Sequence, residues 1–527
     1  MPMPRSPRRA VTAALLAATV GLAGACTTSS PRESTGAKEP GGDERPPRAK
    51  VLTLEDLAPG LRPAKPRFFN PTPPVRTPGP ALSLSLQTSA KPGGARFDPA
   101  NVGLSFEASD LADPRWDPDE SYLDELVGAL DRPSLRFGGN SIDRRVWWTS
   151  SGEPAPSWAQ VTLTPDDFAR LATFATKVDA TVTLVADLGH DDPARGADYV
   201  LHARRALGAR LVAVSVGNEP NGFALASQPQ YRTRKGTYTP ADYVAELRPY
   251  VKAIHARVPG LPIIGPGTFD APWWRAFGDA RIPNTAAMAA HWYPLWSCDG
   301  SGERRAAPTV DNLVSPWLHG RVDEILGMGL QTASRYRLPL WLEEAGPTSC
   351  VGTNETSRTH AQALWTADFT LHTAALGVRR LNYHGMIDAC RGGAPMSPLC
   401  DTGELGERTP RLRGQSNYLA MLQLAEVRQG TIRQVPVAGA PRVHAYAVED
   451  GTGATLVVVN MNDPAKVGPS PLTLALPKGL TASRASVLWA DSLDVRNGSK
   501  LTPLSRLAAL PKSVNAGSVL AIRLDRA

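Results

Sequence analysis

Two short runs carry carboxylates in settings where acid–base or nucleophilic chemistry is plausible. One is Val216-Gly217-Asn218-Glu219-Pro220, where an apolar run ends in an amide and an acid before a proline. The other is Trp341-Leu342-Glu343-Glu344-Ala345, where a second apolar run ends in two acids. Glu219 and Glu344 are 125 residues apart, which is close to three strand–helix repeats of about 37 residues each in a barrel of the (β/α)8 kind. Strands four and seven of such a barrel face one another, so both side chains would reach one central cleft. A pair of carboxylates about 5 Å apart can open an acetal by double displacement. One attacks the anomeric carbon; the other protonates the leaving oxygen and then deprotonates water. Glu343 competes with Glu344, because side chains alternate along a strand and only one of two neighbours is expected to face inward.

The other strand ends suit a polyol. They offer Ser105-Phe106-Glu107, then Gly138-Gly139-Asn140-Ser141 with Asp143 following, then Asp187-Leu188-Gly189-His190. Further along come His291-Trp292-Tyr293 and Asn382-Tyr383-His384-Gly385. Carboxylates, amides and aromatics dominate, with little lysine or arginine, so the set offers little to a phosphate. Glu107, Asn140 and Asp187 are expected to contact sugar hydroxyls. His190, His291 and His384 fall on three separate strands and read as core or rim histidines, so no metal and no organic cofactor is implied.

The elements that must position these groups are legible. Short β-branched runs fall at Val102–Ala108, Ser134–Gly139, Ala180–Leu188, Leu211–Gly217, Leu261–Gly265, Ala286–Tyr293, Leu338–Glu344 and Arg379–Tyr383. Amphipathic stretches between them predict helices over Glu120–Leu130, Pro165–Val178, Asp198–Leu207, Pro240–Val258, Asp323–Arg335 and Ser357–Leu376. Thr164-Pro165-Asp166-Asp167 and Thr239-Pro240-Ala241-Asp242 are helix starts, each with an N-cap, a proline at the first position and an acid in the first turn. The alternation predicts an α/β fold, a (β/α)8 TIM barrel over residues 99–410. An open doubly wound sheet fits less well, because no glycine-rich phosphate loop follows the first strand. Residues 411–527 read as an all-β sandwich of short strands separated by Gly, Pro and Asn turns. Ala81–Gln87, within residues 78–98, is expected to cross over and join it.

The N-terminus reads as an export signal. Arg5, Arg8 and Arg9 precede an apolar stretch, Val11 to Leu22, too short for a stable membrane span. Leu22-Ala23-Gly24-Ala25-Cys26 resembles the lipidation box of bacterial lipoproteins, so residues 1–26 are expected to be a signal peptide with Cys26 the lipidated residue. Residues 27–77, rich in Pro, Ser and Gly, predict a tether. The membrane partner would then be the N-terminal lipid anchor alone, and the protein an exported one on the outer face of the membrane or secreted. Cys298, Cys350, Cys390 and Cys400 allow three pairings in an oxidising compartment; Cys390 with Cys400 and Cys298 with Cys350 is the favoured set. The formal charge of +7 includes three N-terminal arginines and no basic run interleaved with aromatics, so nucleic acid is not an expected partner.

The stretch Leu135-Arg136-Phe137-Gly138-Gly139-Asn140-Ser141, the Val216–Pro220 run, His291-Trp292-Tyr293, and Glu344 followed by Ser349-Cys350 together resemble glycoside hydrolase family 79, the family of heparanase and the β-glucuronidases. The resemblance runs from about Phe97 to the C-terminus and implies a barrel joined to a β-sandwich. It implies that Glu219 is the acid/base, that Glu344 rather than Glu343 is the nucleophile, that Asn218 bonds the sugar 2-hydroxyl and that Tyr293 bonds the nucleophile. It implies a carbohydrate partner, a β-glucuronide or a glucuronic-acid-containing glycan. Tyr383, His384 and the Gly385 backbone are the candidates to receive the uronate carboxylate. The segment Gly385–Cys400 departs from the pattern in lacking a glycine-rich run after strand eight. An exo-β-glycosidase for a neutral sugar and a non-catalytic carbohydrate-binding surface lipoprotein are the alternatives.

Overall fold

The computed structural model describes residues 52–65, 77–87, 94–300, 302–391, 396–401 and 412–526. Cys26, the apolar N-terminal stretch and most of the expected tether lie outside the described residues. Eight parallel strands close into a barrel in sequence order: β1 (Gly103–Glu107), β2 (Ser134–Gly138), β3 (Thr181–Ala186), β4 (Leu211–Val216), β5 (Ile263–Thr268), β6 (Thr285–Trp292), β7 (Leu340–Ala345) and β8 (Arg380–His384). These strands are buried on both faces, which is why they read as nearly continuous apolar runs. Helices α1 (Leu123–Gly128), α2 (Pro165–Lys177), α3 (Pro193–Leu207), α4 (Pro240–Arg257), α5 (Ala271–Asp279), α6 (Pro316–Arg335), α7 (His360–Leu376) and α8 (Ser416–Ala425) follow the strands in turn. Helices α2 and α4 open on capping boxes in which Thr164 and Thr239 pair with Asp167 and Asp242.

Helix α8 moves the boundary expected at residue 411. It follows β8, packs on α7, and is buried on every side from Ser416 to Leu424 between barrel and sandwich. A helix buried all round has no polar face, so its sequence shows no 3.6-residue period.

The C-terminal strands form a sandwich. Arg96–Phe97, β9 (Gly430–Val435), β10 (Val443–Glu449), β11 (Gly453–Asn460), β15 (Ser518–Arg526), β13 (Leu480–Trp489) and β14 (Lys500–Arg506) lie in that order in one sheet. A smaller sheet holds Leu82–Ser85, β12 (Ser470–Ala475) and Ser513–Val514. Leu82–Ser85 runs parallel to β12, with Leu82 opposite Leu472. Leu84, Val514, Leu456 and Ile522 belong to the apolar core of this domain.

Part of the expected tether is instead docked. Thr53 caps the single turn Leu54–Leu57, Leu57 and Ala58 are buried, and Arg62 N–H donates to the Leu501 carbonyl at 2.8 Å. Leu52, Leu54, Leu57 and Leu61 supply apolar surface in an otherwise proline-rich background. The cysteines pair as Cys298–Cys350 and Cys390–Cys400. Among the described residues no helix is long and apolar enough to cross a membrane.

Candidate active site

Glu219 and Glu344 meet at the C-terminal mouth of the barrel. One oxygen of each, together with a ring nitrogen of His291, lies within 4.8 Å of the others. The two acids differ in environment: the Glu219 side chain is 32% exposed and that of Glu344 is 8% exposed.

The chain after β4 is bent to present Glu219. Gly217 has φ +77°, and a Cβ there would lie 2.9 Å from Leu188. Glu219 itself has φ +50°, a left-handed conformation that costs a non-glycine residue about 1–2 kcal/mol. Asp143 is part of what holds it. This buried carboxylate accepts the Asn218 N–H at 2.7 Å, the Leu188 N–H at 2.7 Å and the Gly189 N–H at 3.1 Å, tying the loops after β3 and β4 to the loop after β2. Burial, with the neighbouring Asp187 charge, pushes the Asp143 carboxyl up to about 6 despite those backbone donors.

Glu344 has a donor on each oxygen. Arg136 on β2 donates to Oε2 at 2.5 Å, and the Tyr293 hydroxyl donates to Oε1 at 2.8 Å. Arg136 also donates to Ser105 Oγ at 2.9 Å and to Asn218 Oδ1 at 2.7 Å. His291 Nδ1 lies 3.1 Å from Glu219 Oε1 and 3.8 Å from Glu344 Oε2, and His384 Nδ1 lies 3.9 Å from Glu344 Oε2. Burial alone would raise the Glu344 carboxyl. The His384, His291 and Arg136 charges and the Tyr293 hydrogen bond outweigh it and hold the group well below the usual carboxylate range. Burial and the two nearby carboxylates push the Tyr293 hydroxyl far up, so it stays a donor.

Asn218 is fixed through its carbonyl oxygen by Arg136, which leaves its buried Nδ2 without a partner in the protein. An amide donor held in this way suits an incoming hydroxyl. Asp187 Oδ2 pairs with His190 Nδ1 at 2.8 Å, while its buried Oδ1 is unpartnered; His190 in turn stacks on Trp158 at 3.6 Å. Glu107 is largely committed to the backbone, accepting Asn140 N–H at 3.2 Å and Ser141 N–H at 2.7 Å. The Asn140 side chain accepts from Arg144 at 3.1 Å.

Three expectations need correction. Tyr383 does not face the cleft: its hydroxyl is buried against α7, 2.7 Å from Thr370 Oγ and 3.0 Å from the Thr366 carbonyl. The Gly385 N–H is already donated to the Ser105 carbonyl at 2.8 Å. Strand alternation does not separate Glu343 from Glu344, because β7 is bulged: Ala290 pairs with Leu342 but His291 with Glu344, and the pairing to β8 skips from Leu342 to Ala345. Both acids therefore point into the barrel. Glu343 reaches across it to Thr183 Oγ at 2.5 Å and lies 3.2 Å from Arg380 Nε, a charge contact rather than a directed hydrogen bond. Arg380 and Thr181, at the other end of β8 and β3, share this lower layer.

Arg136 and Asp143 carry more of the site than sequence reasoning assigned them. The signal was there for Arg136, a cation between Leu135 and Phe137 in a buried strand, which demands a buried partner. Glu219, His291 and Glu344 lie close enough together to hold an ion, but the oxygens of Glu344 are already engaged by Arg136 and Tyr293. That donor set fits proton transfer better than cation binding.

No family model and no curated protein matches the chain. Solved structures do. A 4-O-alpha-L-rhamnosyl-beta-D-glucuronidase from Fusarium oxysporum 12S, in complex with Rha-GlcA, superposes with TM-score 0.65 at 18% identity, covering 84% of this chain and 100% of that one. AbfB, a family 51 alpha-L-arabinofuranosidase from Bifidobacterium longum, gives TM-score 0.62 at 16% identity over 85% of this chain and 100% of that one. BuGH86 in complex with neoagarooctaose gives 0.53 at 12% identity over 84% and 79%. At these identities the likeness is one of fold: a closed parallel barrel with a β-sandwich.

Proposed function

We propose that the protein is a retaining glycoside hydrolase in which Glu344 is the nucleophile and Glu219 the acid/base. The observation that carries this is the approach of the two carboxylates: an oxygen of each lies within 4.8 Å of an oxygen of the other, the close pairing that a retaining enzyme uses. Glu344 attacks the anomeric carbon while Glu219 gives its proton to the departing oxygen; a glycosyl ester to Glu344 forms and the glycosidic C–O bond breaks. Glu219 then takes a proton from water, whose oxygen displaces Glu344. Arg136 and Tyr293 keep the nucleophile ionised, and Asn218 Nδ2 is placed for the sugar 2-hydroxyl, where contacts tighten in the transition state.

For the sugar, the reading is a β-glucuronide or a glucuronic-acid-containing glycan. Support comes from the resemblance to family 79 and from the similarity in fold to a glucuronidase. His384 remains as a donor for the carboxylate. A second reading, an arabinofuranoside, is favoured by the loss of Tyr383 and Gly385 as uronate donors and by the fold of the arabinofuranosidase. A panel of aryl glycosides separates the two, and trapping with an activated 2-fluoro sugar of the turned-over class should label Glu344. Label on Glu343, or unchanged rates in Glu344→Gln, refutes the assignment. Export is part of the same proposal, supported by the signal-like N-terminus and by two disulfides, with Cys26 as the anchor. Mass spectrometry of the mature N-terminus tests it; an unmodified chain continuing upstream of Cys26 rules the anchor out.

A further inference from the structure

Three of the nine histidines gather outside the cleft, on two barrel helices and a sandwich strand. His319 is on α6, His372 on α7 and His444 on β10, and with them come Asp323, Asp368 and Tyr446. His319 Nδ1 lies 2.8 Å from Asp368 Oδ2, and the Tyr446 hydroxyl donates to Asp368 Oδ1 at 2.7 Å. His372 Nε2 is 2.8 Å from Asp323 Oδ1. His444 is only 9% exposed, lies flat on His319 with ring centres 3.7 Å apart, and has no hydrogen-bond partner among the described residues. Ligand atoms of His319, Asp368 and His444 lie within 4.8 Å of one another.

We propose that His319, Asp368 and His444 form a site for a divalent transition-metal ion, zinc above all, that clips helices α6 and α7 of the barrel to β10 of the sandwich. Two imidazoles and a carboxylate are a zinc donor set, and among the described residues no cysteine belongs to the cluster. Tyr446 orients Asp368 through the oxygen that His319 does not use, the outer support that ligating carboxylates need. The His319 side chain is 14% exposed, so the site is not sealed from solvent. Ligands about 2 Å from zinc sit about 3.3 Å from one another in a tetrahedron. Loading therefore rotates the His444 ring off its stack and displaces the proton between His319 and Asp368.

The test uses the full chain without a polyhistidine tag, stripped with chelator and titrated with Zn2+. One zinc per chain is expected by calorimetry and elemental analysis, with a Tm that rises with the logarithm of free zinc. His444→Gln should lose both while keeping its fold and its turnover, because His444 bonds nothing in the metal-free state; Asp368→Asn should lose zinc as well. Absence of zinc uptake by the parent chain overturns the proposal. So does uptake that persists undiminished in His444→Gln, which would place the ion elsewhere, at Glu219, His291 and Glu344 if turnover is inhibited as it binds.

Discussion

Tyr293→Phe removes one oxygen and leaves the ring in place. In the parent chain that hydroxyl donates to Glu344 Oε1 at 2.8 Å, while Arg136 holds the other oxygen at 2.5 Å. Both interactions favour the ionised carboxyl, whose titration lies below the usual glutamate range. The stabilisation they give is present above that usual range, near pH 4.3, and is lost as pH falls through the folded value. A hydrogen bond to a charged group contributes about 1.5–3 kcal/mol, so its loss should raise the folded value, and the acid limb of kcat/KM with it, by about one to two pH units. Glu344 is buried, so solvent screening returns little of this. The assay is kcat/KM against pH on an activated aryl glycoside, with circular dichroism at each pH to separate titration from unfolding. Arg136→Gln should move the limb in the same direction and further, because it removes a charge as well as a donor. An acid limb that stays in place in both variants would refute the claim that these two residues keep the nucleophile ionised.

Other outcomes are fixed by the same geometry. Glu343→Gln leaves Arg380 without its counter-charge inside the barrel and should cost about 3–5 kcal/mol in urea unfolding, while trapping still labels Glu344. Gly139→Ala places a Cβ 2.4 Å from the Glu107 carboxylate at φ +66°, and should lower both kcat/KM and stability, the latter by about 1–3 kcal/mol on thermal unfolding. Cys298→Ser with Cys350→Ser opens a link spanning 52 residues and should cost about 4 kcal/mol by loop-closure entropy. It frees the loops after β6 and β7 as well, so kcat should fall; equal kcat and equal unfolding midpoints would show the bridge to be idle.

Strand and helix order was legible in the sequence because the barrel is built from local signals: β-branched runs, threonine–proline helix starts, and polar residues clustered where each strand ends. Those signals place Glu219, Glu344, Asn218 and Tyr293 at strand ends that share one rim. Composition also betrayed the sandwich and the strand at Leu82–Ser85 that pairs with β12. What local pattern cannot encode is a register shift. The bulge in β7 turns Glu343 and Glu344 to the same side, so the choice between them rests on depth in the barrel and on partners from β2, β3, β6 and β8. Tyr383 and Gly385 misled for a related reason: a residue at a strand end can face the helix layer, or have its N–H taken by the neighbouring strand, and both depend on pairing between distant segments. The ion-pair partners of Arg136 and Arg380, the three loops held by Asp143, and the meeting of His319, His372 and His444 are set by contacts across tens to hundreds of residues. The sequence by itself determined that Glu219 and Glu344 stand at the mouth of the barrel; the tertiary structure decided which cations and donors each carboxylate meets, because that energy depends on distance and burial, and neither is a property of a linear chain.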